Sequence, residues 1–336
     1  MPYPVVDLHC DLLTYLASVK DAHPGNTKDI GCAIPYLLDG LVKLQVLAIY
    51  SGGGRNSTEL TETQCRWFQR LAAEHRESFH RVSNPGEARE ALKSAGTGTT
   101  GTIVSIENAS ALCGEDEPRK RALERLELVR RLAGPPLYVS LTHHGGNRFG
   151  GGNTTSSGLT NDGRYLLDHL AGRQVAVDLS HASDALAYDI LDHIERRDLD
   201  LPVLASHSNF RAVFDHPRNL PDDLTRAVID RNGLIGMNFL RALLHPDDPS
   251  YLTRHILHGM EMGAERALAL GADYFYDKGH PDRSRAPFFF PEHANAGKYQ
   301  SILRSLEPVL DPEQVSALAS ENALGLMRRV WQDKSG

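Results

Sequence analysis

With 336 residues, 41% of them hydrophobic and 24% charged, the chain can bury a full hydrophobic core and lacks the charge excess of a disordered protein. Its 36 basic and 43 acidic side chains give a net charge of −7, which provides no electrostatic attraction for a nucleic acid. Four scattered cysteines are too few for a disulfide framework or a cysteine-based zinc site.

The N-terminal segment reaches Asp7 and His9 before any long apolar run, so it lacks the layout of a signal peptide. No later stretch contains the roughly 18 uninterrupted apolar residues that indicate a membrane helix. The sequence therefore predicts a soluble, cytoplasmic protein with no membrane segment.

Short apolar runs rich in Val, Ile and Leu recur along the chain, and longer segments of helical periodicity separate them. This alternation is typical of a parallel sheet that is covered by helices. We predict eight strands, at residues 4–8, 41–50, 101–106, 137–142, 175–180, 202–206, 234–239 and 267–272. Eight strands favour closure into a (β/α)8 TIM barrel, and one such barrel accounts for residues 1–336 as a single domain.

The segments between these runs predict covering helices, because apolar residues recur in them every three or four positions. The segments are residues 59–80, 118–132, 183–197 and 221–231. Ser183 and Pro221 are suited to helix N-termini. The Gly- and Thr-rich residues 145–163 predict a long loop. Beyond residue 273 we expect an irregular stretch to about 296, then two helices, 298–309 and 312–331, within about 298–332.

Candidate metal ligands and catalytic groups follow six of the eight predicted strands. They are His9, Asp11, Glu107, His143, His181, His207 and Asp273. In a (β/α)8 barrel the C-terminal ends of the strands converge on the face that carries the active site. Imidazole and carboxylate ligands suit zinc, manganese or iron. We therefore expect one metal centre, of the kind found in metal-dependent hydrolases.

The first of these positions is a His-x-Asp motif. His9 and Asp11 lie two residues apart at one strand end, so their side chains project to the same side. The similar His245-Pro-Asp and His280-Pro-Asp sequences follow no predicted strand, and we interpret them as turns. Only the first motif is therefore predicted to bind metal.

Three further positions complete the predicted metal centre. Glu107 ends a strand, where its carboxylate can bridge two metal ions about 3.5 to 4 Å apart. His181 and His207 each follow a strand and a serine, and they are predicted to bind the second ion together. Other histidines lie in polar helical segments and are predicted to be solvated, namely His75, His80, His193, His255 and His258.

These motifs resemble those of the membrane dipeptidase (renal dipeptidase) family of zinc peptidases, within the amidohydrolase-like barrels. The resemblance extends from Asp7 to about Trp331 and rests on Asp7-Leu-His9-Cys-Asp11, Ser105-Ile-Glu107-Asn, Ser140-Leu-Thr-His143, Val177-Asp-Leu-Ser-His181-Ala-Ser, Ser206-His207-Ser-Asn, His216-Pro-Arg218-Asn-Leu-Pro-Asp-Asp223, Gly236-Met-Asn-Phe239 and Gly271-Ala-Asp273. It implies a metallopeptidase that hydrolyses the amide bond of dipeptides with a free C-terminal carboxylate.

The resemblance also implies a ligand set for two divalent ions, expected to be Zn²⁺. One ion would be bound by His9, Asp11 and Glu107. The other would be bound by Glu107, His181 and His207, which makes Glu107 the bridge. Such a pair would supply a bridging hydroxide and polarise the amide carbonyl.

The remaining implied roles concern the substrate. His143 would lie near the scissile carbonyl and stabilise its developing negative charge, and Asp273 would move a proton from the water to the leaving amine. Arg218 would bind the terminal carboxylate, since a guanidinium pairs with a carboxylate through two hydrogen bonds. Arg211 is a nearby competitor for this role.

The chain departs from the family at His144, where the family usually has asparagine, and at Tyr274-Phe275-Tyr276-Asp277, where Phe-Asp-Gly is common. We expect residues 275–296 to lie over the pocket. Two alternatives stay open: another amidohydrolase acting on N-acyl amino acids, cyclic amides or phosphotriesters, and a catalytically silent binding barrel. Many such amidohydrolases bridge their metals with a carboxylated lysine, whereas Glu107 stands here. Dipeptide preference, native metal and homo-oligomer formation also stay open.

Overall fold

The structure is a computed structural model that describes residues 2–54, 56–93 and 98–332. Its strands are β1 Val5–Cys10, β2 Val42–Tyr50, β3 Phe79–Arg81, β4 Thr100–Glu107, β5 Tyr138–Ser140, β6 Ala176–Asp178, β7 Val203–Ala205, β8 Leu234–Met237 and β9 Leu268–Leu270. Its α-helices are α1 Leu12–Ser18, α2 Ile34–Asp39, α3 Ser57–Glu74, α4 Pro85–Lys93, α5 Lys120–Ala133, α6 Asn161–Leu170, α7 Asp184–Arg196, α8 Asp222–Asp230, α9 Arg241–Leu244, α10 Tyr251–Glu261, α11 Tyr299–Leu306, α12 Pro312–Ser316 and α13 Asn322–Val330.

Eight of these strands form a closed barrel in which every neighbouring pair is parallel. The order around the ring is β1-β2-β4-β5-β6-β7-β8-β9, and β9 returns to pair with β1. Each predicted strand overlaps one strand of this ring. The predicted (β/α)8 fold is therefore confirmed, with helices on the outside of the barrel.

The ninth strand, β3, lies outside this ring and was not predicted. It pairs with Thr100–Thr102 at the start of β4, whose opposite edge is taken by β2. The predicted helix at residues 59–80 is therefore wrong at its C-terminal end, since α3 ends at Glu74. Phe79 is buried, and a single buried apolar residue fits a last helical turn as well as a short strand, so apolar spacing alone could not separate the two.

The other helix boundaries agree closely with the sequence pattern. Ser183 is the N-cap of α7, and its side chain accepts a hydrogen bond from the Leu186 N–H. Pro221 stands at the N-cap of α8. The predicted C-terminal helices are found as α11 and as a run from α12 to α13, which a π-helical segment, Ala317–Glu321, joins.

The barrel interior is closed at the end where the strands begin. Side chains pointing into the barrel, such as Val6, Leu44 and Leu234, form one buried cluster with Met327 and Trp331 of the C-terminal segment. The opposite end, where the strands finish, carries the polar side chains instead. The fold thus leaves the C-terminal ends of the strands as the face on which a site can be built.

A buried carboxylate ties three parts of this face together. Asp7 Oδ1 accepts hydrogen bonds from the backbone N–H groups of His9 (3.1 Å) and Ala272 (3.2 Å). Asp7 Oδ2 accepts one from the Tyr299 hydroxyl at 2.6 Å. Burial raises the pKa of Asp7, and each of these donors acts against that rise. The carboxylate joins β1, the segment after β9 and α11.

We expect Tyr299→Phe to lower the free energy of unfolding by about 1 to 3 kcal/mol, because it leaves a buried carboxylate oxygen without its hydroxyl donor. Urea denaturation of the wild type and the variant measures this difference. Tyr36→Phe is the matched control, since its hydroxyl makes an exposed contact with the Thr27 carbonyl, and it should change stability by less than about 0.5 kcal/mol. Equal losses in the two variants would contradict the role of Tyr299.

Candidate metal centre

The strand ends bring all seven predicted metal-site and catalytic residues into one cluster. His9 is part of β1 and Glu107 is the last residue of β4, whereas the others stand in the short segments that follow β1, β5, β6, β7 and β9. His9, Glu107, His181, His207 and Asp273 are each at most 9% exposed. Residues far apart in the sequence thus meet at the open end of the barrel.

Glu107 stands at the centre of this cluster. Its Oε1 lies 3.0 Å from His181 Nε2 and 3.5 Å from His207 Nε2. Its Oε2 lies 3.5 Å from His9 Nε2. The two oxygens of one carboxylate therefore face two different sets of imidazoles.

Two ligand groups share Glu107. In one group, single atoms of His9, Asp11 and Glu107 all lie within 4.8 Å of one another, and in the other the same holds for Glu107, His181 and His207. These are the two sets that the family resemblance implied. Nitrogen and oxygen ligands in such numbers suit a pair of divalent ions of the first transition row.

Several potential ligand atoms of the cluster lack a hydrogen-bond partner, as is expected of atoms that bind a metal ion. His9 Nε2, Asp11 Oδ1 and His207 Nε2 are buried and have no hydrogen-bond partner among the described residues. A buried polar atom without a partner costs about 1 to 3 kcal/mol. Divalent ions would satisfy all three atoms, so the residues fit the cofactor.

The pKa values of two of the three histidines agree with this fit, whereas the carboxylates of Glu107 and Asp273 help to raise the pKa of His9. Burial holds the pKa values of His181 and His207 well below the ordinary histidine value, which favours the neutral, ligating form. The pKa of Asp11 is raised well above its usual range, first by burial and then by the negative charge of Glu107. Two carboxylates this close in a buried site repel each other, and bound cations relieve that repulsion.

The backbone is held in an uncommon conformation at three of these strand ends. Asn108, His181 and Asp273 have φ angles of 70°, 66° and 65°, in the left-handed region that favours glycine. Such residues persist when the surrounding structure fixes them, and they cluster at functional sites. None of the three is a glycine, but Asn, His and Asp adopt this conformation more often than other side chains do.

His207 is oriented by a relay to a buried carboxylate. The Ser206 hydroxyl donates to Asp178 Oδ2 at 2.6 Å, and Ser206 Oγ lies 2.7 Å from His207 Nδ1. Because the serine proton goes to Asp178, His207 Nδ1–H donates to the serine oxygen. Nε2 is then left with its lone pair toward Glu107 and the proposed ion.

His9 is oriented in the same sense by Tyr138. The Tyr138 hydroxyl donates to the Leu8 carbonyl at 2.8 Å, and its oxygen lies 2.8 Å from His9 Nδ1. His9 Nδ1–H therefore donates to the tyrosine, which leaves His9 Nε2 free to bind a metal ion.

Two glycines allow the neighbouring strands to approach this relay closely. A Cβ atom at Gly236 would lie 1.9 Å from the Ser206 carbonyl oxygen, and one at Gly271 would lie 2.0 Å from the same atom. Any side chain at either position would push the backbone that carries His207 out of place. This explains why glycine stands in both of these motifs.

His143 and His144 line the open side of the cluster. His143 Nε2 lies 3.9 Å from Glu107 Oε1, and its Nδ1 lies 3.4 Å from the Tyr50 hydroxyl. Burial lowers the pKa of His143 to about 4, so the ring is neutral at pH 7. His144 hydrogen-bonds Asn153 through Nδ1 at 3.0 Å and has its ring centroid 4.9 Å from that of His181.

Asp273 is held by an asparagine that follows β8. Asn238 Nδ2 donates to Asp273 Oδ2 at 2.9 Å, while Asp273 Oδ1 lies 3.8 Å from His9 Nε2. Burial raises the pKa of Asp273 to about 6. One oxygen is thus fixed by the protein, and the other faces the metal ligands.

Arg218 is buried beside the cluster, and Arg211 is not. Arg218 donates to Ser208 Oγ (2.9 Å) and to the His207 carbonyl (3.0 Å), and its Nε is buried with no partner among the described residues. Arg211 donates to both oxygens of Asp184, at 2.6 and 2.8 Å. Arg211 already holds a carboxylate of the protein, whereas Arg218 does not.

Comparison with known proteins decides the family. The profile of the family described as membrane dipeptidase, peptidase family M19, matches residues 2–335. The chain belongs to this family. An uncharacterized dipeptidase of Schizosaccharomyces pombe is 30% identical over 208 residues, which are 58% of this chain and 46% of that protein, so less than half of its length is matched.

Solved structures share the fold of this membrane dipeptidase family member. A metallopeptidase described as dipeptidase AC has a TM-score of 0.84 at 21% identity, over 98% of this chain and 99% of that one. A metallopeptidase of Rhodobacter sphaeroides, solved with a phosphinate mimic of the dipeptide L-Ala-D-Ala, has a TM-score of 0.83 at 21% identity, over 98% and 100%. Within the described residues, no helix combines the length and apolar character that crossing a membrane requires.

The sequence pattern assigns no role to several residues that the structure places around the ligands of this family member. They are Tyr50, Tyr138, Asp178, Ser206 and Asn238. Asp178, Ser206 and Asn238 lie inside the quoted motifs, and strand alternation could have placed Asp178 on the inner face. The tyrosines act from distant strands, and only the folded barrel brings them to the ligands.

We expect Ser206→Ala to weaken metal binding by about 10- to 100-fold, because it breaks the relay that orients His207. Competition of the protein with a chromogenic zinc chelator measures this affinity. Ser320→Ala is the matched control, a buried serine in the π-helical segment far from the ligands, and it should leave the affinity unchanged. An affinity of Ser206→Ala within about twofold of the wild type would show that the relay does not position the ligand.

Proposed function

We propose that this protein is a binuclear zinc-dependent dipeptidase, which hydrolyses the amide bond of dipeptides that carry a free C-terminal carboxylate. The observation that carries the proposal is the pair of ligand groups that share Glu107, with three ligand atoms left unpartnered. Membership of the membrane dipeptidase family supports it. Zinc as the native metal, cytoplasmic location and homo-oligomer formation stay predictions.

The ions would be held by the two ligand groups already described. His9, Asp11 and Glu107 would hold one, and Glu107, His181 and His207 would hold the other. When bound, two such cations supply an activated water and polarise the substrate carbonyl. Tyr138 and Ser206 hold the rings of His9 and His207 through their Nδ1 atoms, so that Nε2 of each ring faces the ligand cluster.

His143 is proposed to stabilise negative charge on the carbonyl oxygen of the substrate. Its ring is neutral at pH 7, and it stands at the open side of the cluster where a substrate enters. A neutral imidazole N–H is a hydrogen-bond donor that strengthens as the oxygen becomes negative. Tyr50 limits the rotation of this ring through its contact with Nδ1.

Asp273 is proposed to carry the proton. Its Oδ2 is held by Asn238, so Oδ1 is the atom that would accept a proton from the attacking water and deliver it to the leaving amine. A carboxyl whose pKa burial raises to about 6 is better matched to this task near neutral pH than an ordinary aspartate.

The proposal is tested by metal content and activity together. Protein loaded with zinc should hold about two ions per chain and hydrolyse dipeptides, since five ligands exceed what one four-coordinate ion takes from a protein. His207→Gln should lose about one ion and the activity. His193→Gln is the control, a histidine that pairs with Asp168 away from the site, and it should keep both ions.

Elemental analysis counts the ions, and an amine-release assay follows hydrolysis. A wild type that never exceeds one ion after loading would contradict the bridging role of Glu107. Two ions with no hydrolysis of any dipeptide would favour the silent binding barrel instead.

We further expect Arg218→Met to lower kcat/KM for free dipeptides by about 10- to 150-fold, the value of a charge-assisted contact of roughly 1.5 to 3 kcal/mol. A C-terminally amidated dipeptide should be a poor substrate of the wild type and should lose little more in the variant. Arg211→Met is the matched control, because Arg211 is paired with Asp184. Equal losses on both substrates would mean that Arg218 supports the fold and does not bind the carboxylate.

A further inference from the structure

A cavity borders the metal centre on the side of the segment that follows β9. Its volume is about 600 Å³. Its apolar wall holds Phe214, Ala242 and Pro246, and its polar part holds His144, His216 and Arg285. The mechanism proposed above uses none of these side chains.

His144 connects this cavity to the reacting centre. One of its ring nitrogens lies within 4.8 Å of nitrogens of His143 and His181, while the same ring lines the cavity. Asn153 holds the ring in this place through its 3.0 Å contact with Nδ1. A group attached to a substrate at the metal centre therefore has a short path into the cavity.

The cavity adjoins the end of the site that would hold the C-terminal residue of a dipeptide. The backbone N–H of Arg218 donates to His216 Nδ1 at 3.1 Å, and His216 is part of the cavity wall. The residue proposed to bind the α-carboxylate thus stands directly behind this wall. The side chain next to that carboxylate is the one that the cavity can receive.

The charge of the cavity is positive. Its described lining includes no aspartate or glutamate. In the described part of the chain Arg285 has no carboxylate within ion-pair distance, and the nearby Asp282, whose pKa Arg285 helps to lower, does not line the cavity. The pKa of His216 lies below the ordinary histidine value, chiefly because the ring is buried. The positive charges of Arg218 and Arg285 lower it further, so both charges act on this side chain. Two permanent cations therefore act on this open cavity: Arg285 lines it, and Arg218 lies behind the part of its wall that His216 forms.

The cavity on the other side of His143 differs in charge. It is also lined by His144, but its wall contains Gly52–Gly54, Asn108 and Glu115. Among the described residues of that wall, Glu115 is the side chain with a formal charge at pH 7, and its charge is negative. The two sides of the site are therefore not equivalent for a charged substrate.

We propose that the cavity lined by Arg285 is the specificity pocket for the C-terminal residue, and that it selects an acidic side chain there, so that preferred substrates are dipeptides ending in glutamate or aspartate. This inference rests on the proposed dipeptidase function. Arg218 binds the α-carboxylate and Arg285 the side-chain carboxylate, while Phe214 and Pro246 pack against its methylene groups.

The test compares Ala-Glu with Ala-Gln, whose side chains are nearly equal in shape and differ in charge, with the C-terminal residue in both the L and the D form. Wild-type kcat/KM should favour Ala-Glu by at least about threefold at low salt, since exposed ion pairs are weaker than buried ones. Added potassium chloride should reduce this preference, because it screens charge and leaves shape unchanged.

Variants at one turn separate the charge of Arg285 from its surroundings. Arg285→Gln should abolish the preference for Ala-Glu over Ala-Gln. Arg283→Gln, in the same turn, is the matched control, because Arg283 donates to the Asp277 carbonyl and does not line the cavity. Arg285→Glu should shift the preference toward Ala-Lys over Ala-Gln.

Equal kcat/KM for Ala-Glu and Ala-Gln in the wild type, or an undiminished preference in Arg285→Gln, would overturn the inference while the dipeptidase function stands. If the metal-loaded protein hydrolyses no dipeptide, the proposed function fails separately. Titration with phosphinate analogues of Ala-Glu and Ala-Gln then decides the inference, since equal affinities for the two would also overturn it.

Discussion

The carboxylate of Glu107 is buried among the imidazoles of His9, His181 and His207, and the rest of the site is organised around it. A second carboxylate, that of the half-buried Asp11, has an oxygen within 4.8 Å of one of Glu107, which is unfavourable unless positive charge is bound between them. The short strands, the left-handed turns and the hydrogen-bonded histidines all serve to hold these groups together. The stability of this arrangement and its capacity to bind metal therefore depend on the same contacts.

The same hydrogen-bonding arrangement around a buried aspartate occurs twice in the barrel and holds the ligands in place. Asp7 on β1 accepts from the N–H two residues later and from that of Ala272 beyond the neighbouring β9. Asp178 on β6 likewise accepts from the N–H of Ser180 and from that of Ser206 beyond the neighbouring β7. Each aspartate thereby ties a ligand-bearing strand end to its neighbour, and a hydroxyl group completes both arrangements. The Asp-Leu pair that precedes His9 and His181 in the sequence is the visible sign of this arrangement.

The sequence predicted the barrel strands and the cluster at their ends, because apolar alternation and polar strand ends are local signals. Contacts made across the fold were not predictable in this way. The polar helical pattern around His255 suggested a solvated ring, yet His255 is buried, with Nδ1 accepting from the Phe210 N–H and Nε2 3.3 Å from the Leu244 carbonyl. The pairing of β3 with β4 and the relay through Ser206 depend in the same way on partners far along the chain.

The balance of buried charge connects the metal centre with the choice of substrate. Asp11, Glu107 and Asp273 supply three carboxylates, and Arg218 supplies a buried guanidinium. Burial lowers the pKa of Arg218, and the charges of Asp273, Asp178 and Glu107 act against that fall. Two divalent cations, as proposed, would outweigh the three carboxylates, and Arg218 would add to the excess. A site with this positive excess attracts anionic ligands and repels cationic ones. The same field that favours a free C-terminal carboxylate would therefore extend to the Arg285 side of the cavity, where a second carboxylate would lower the energy of the complex further.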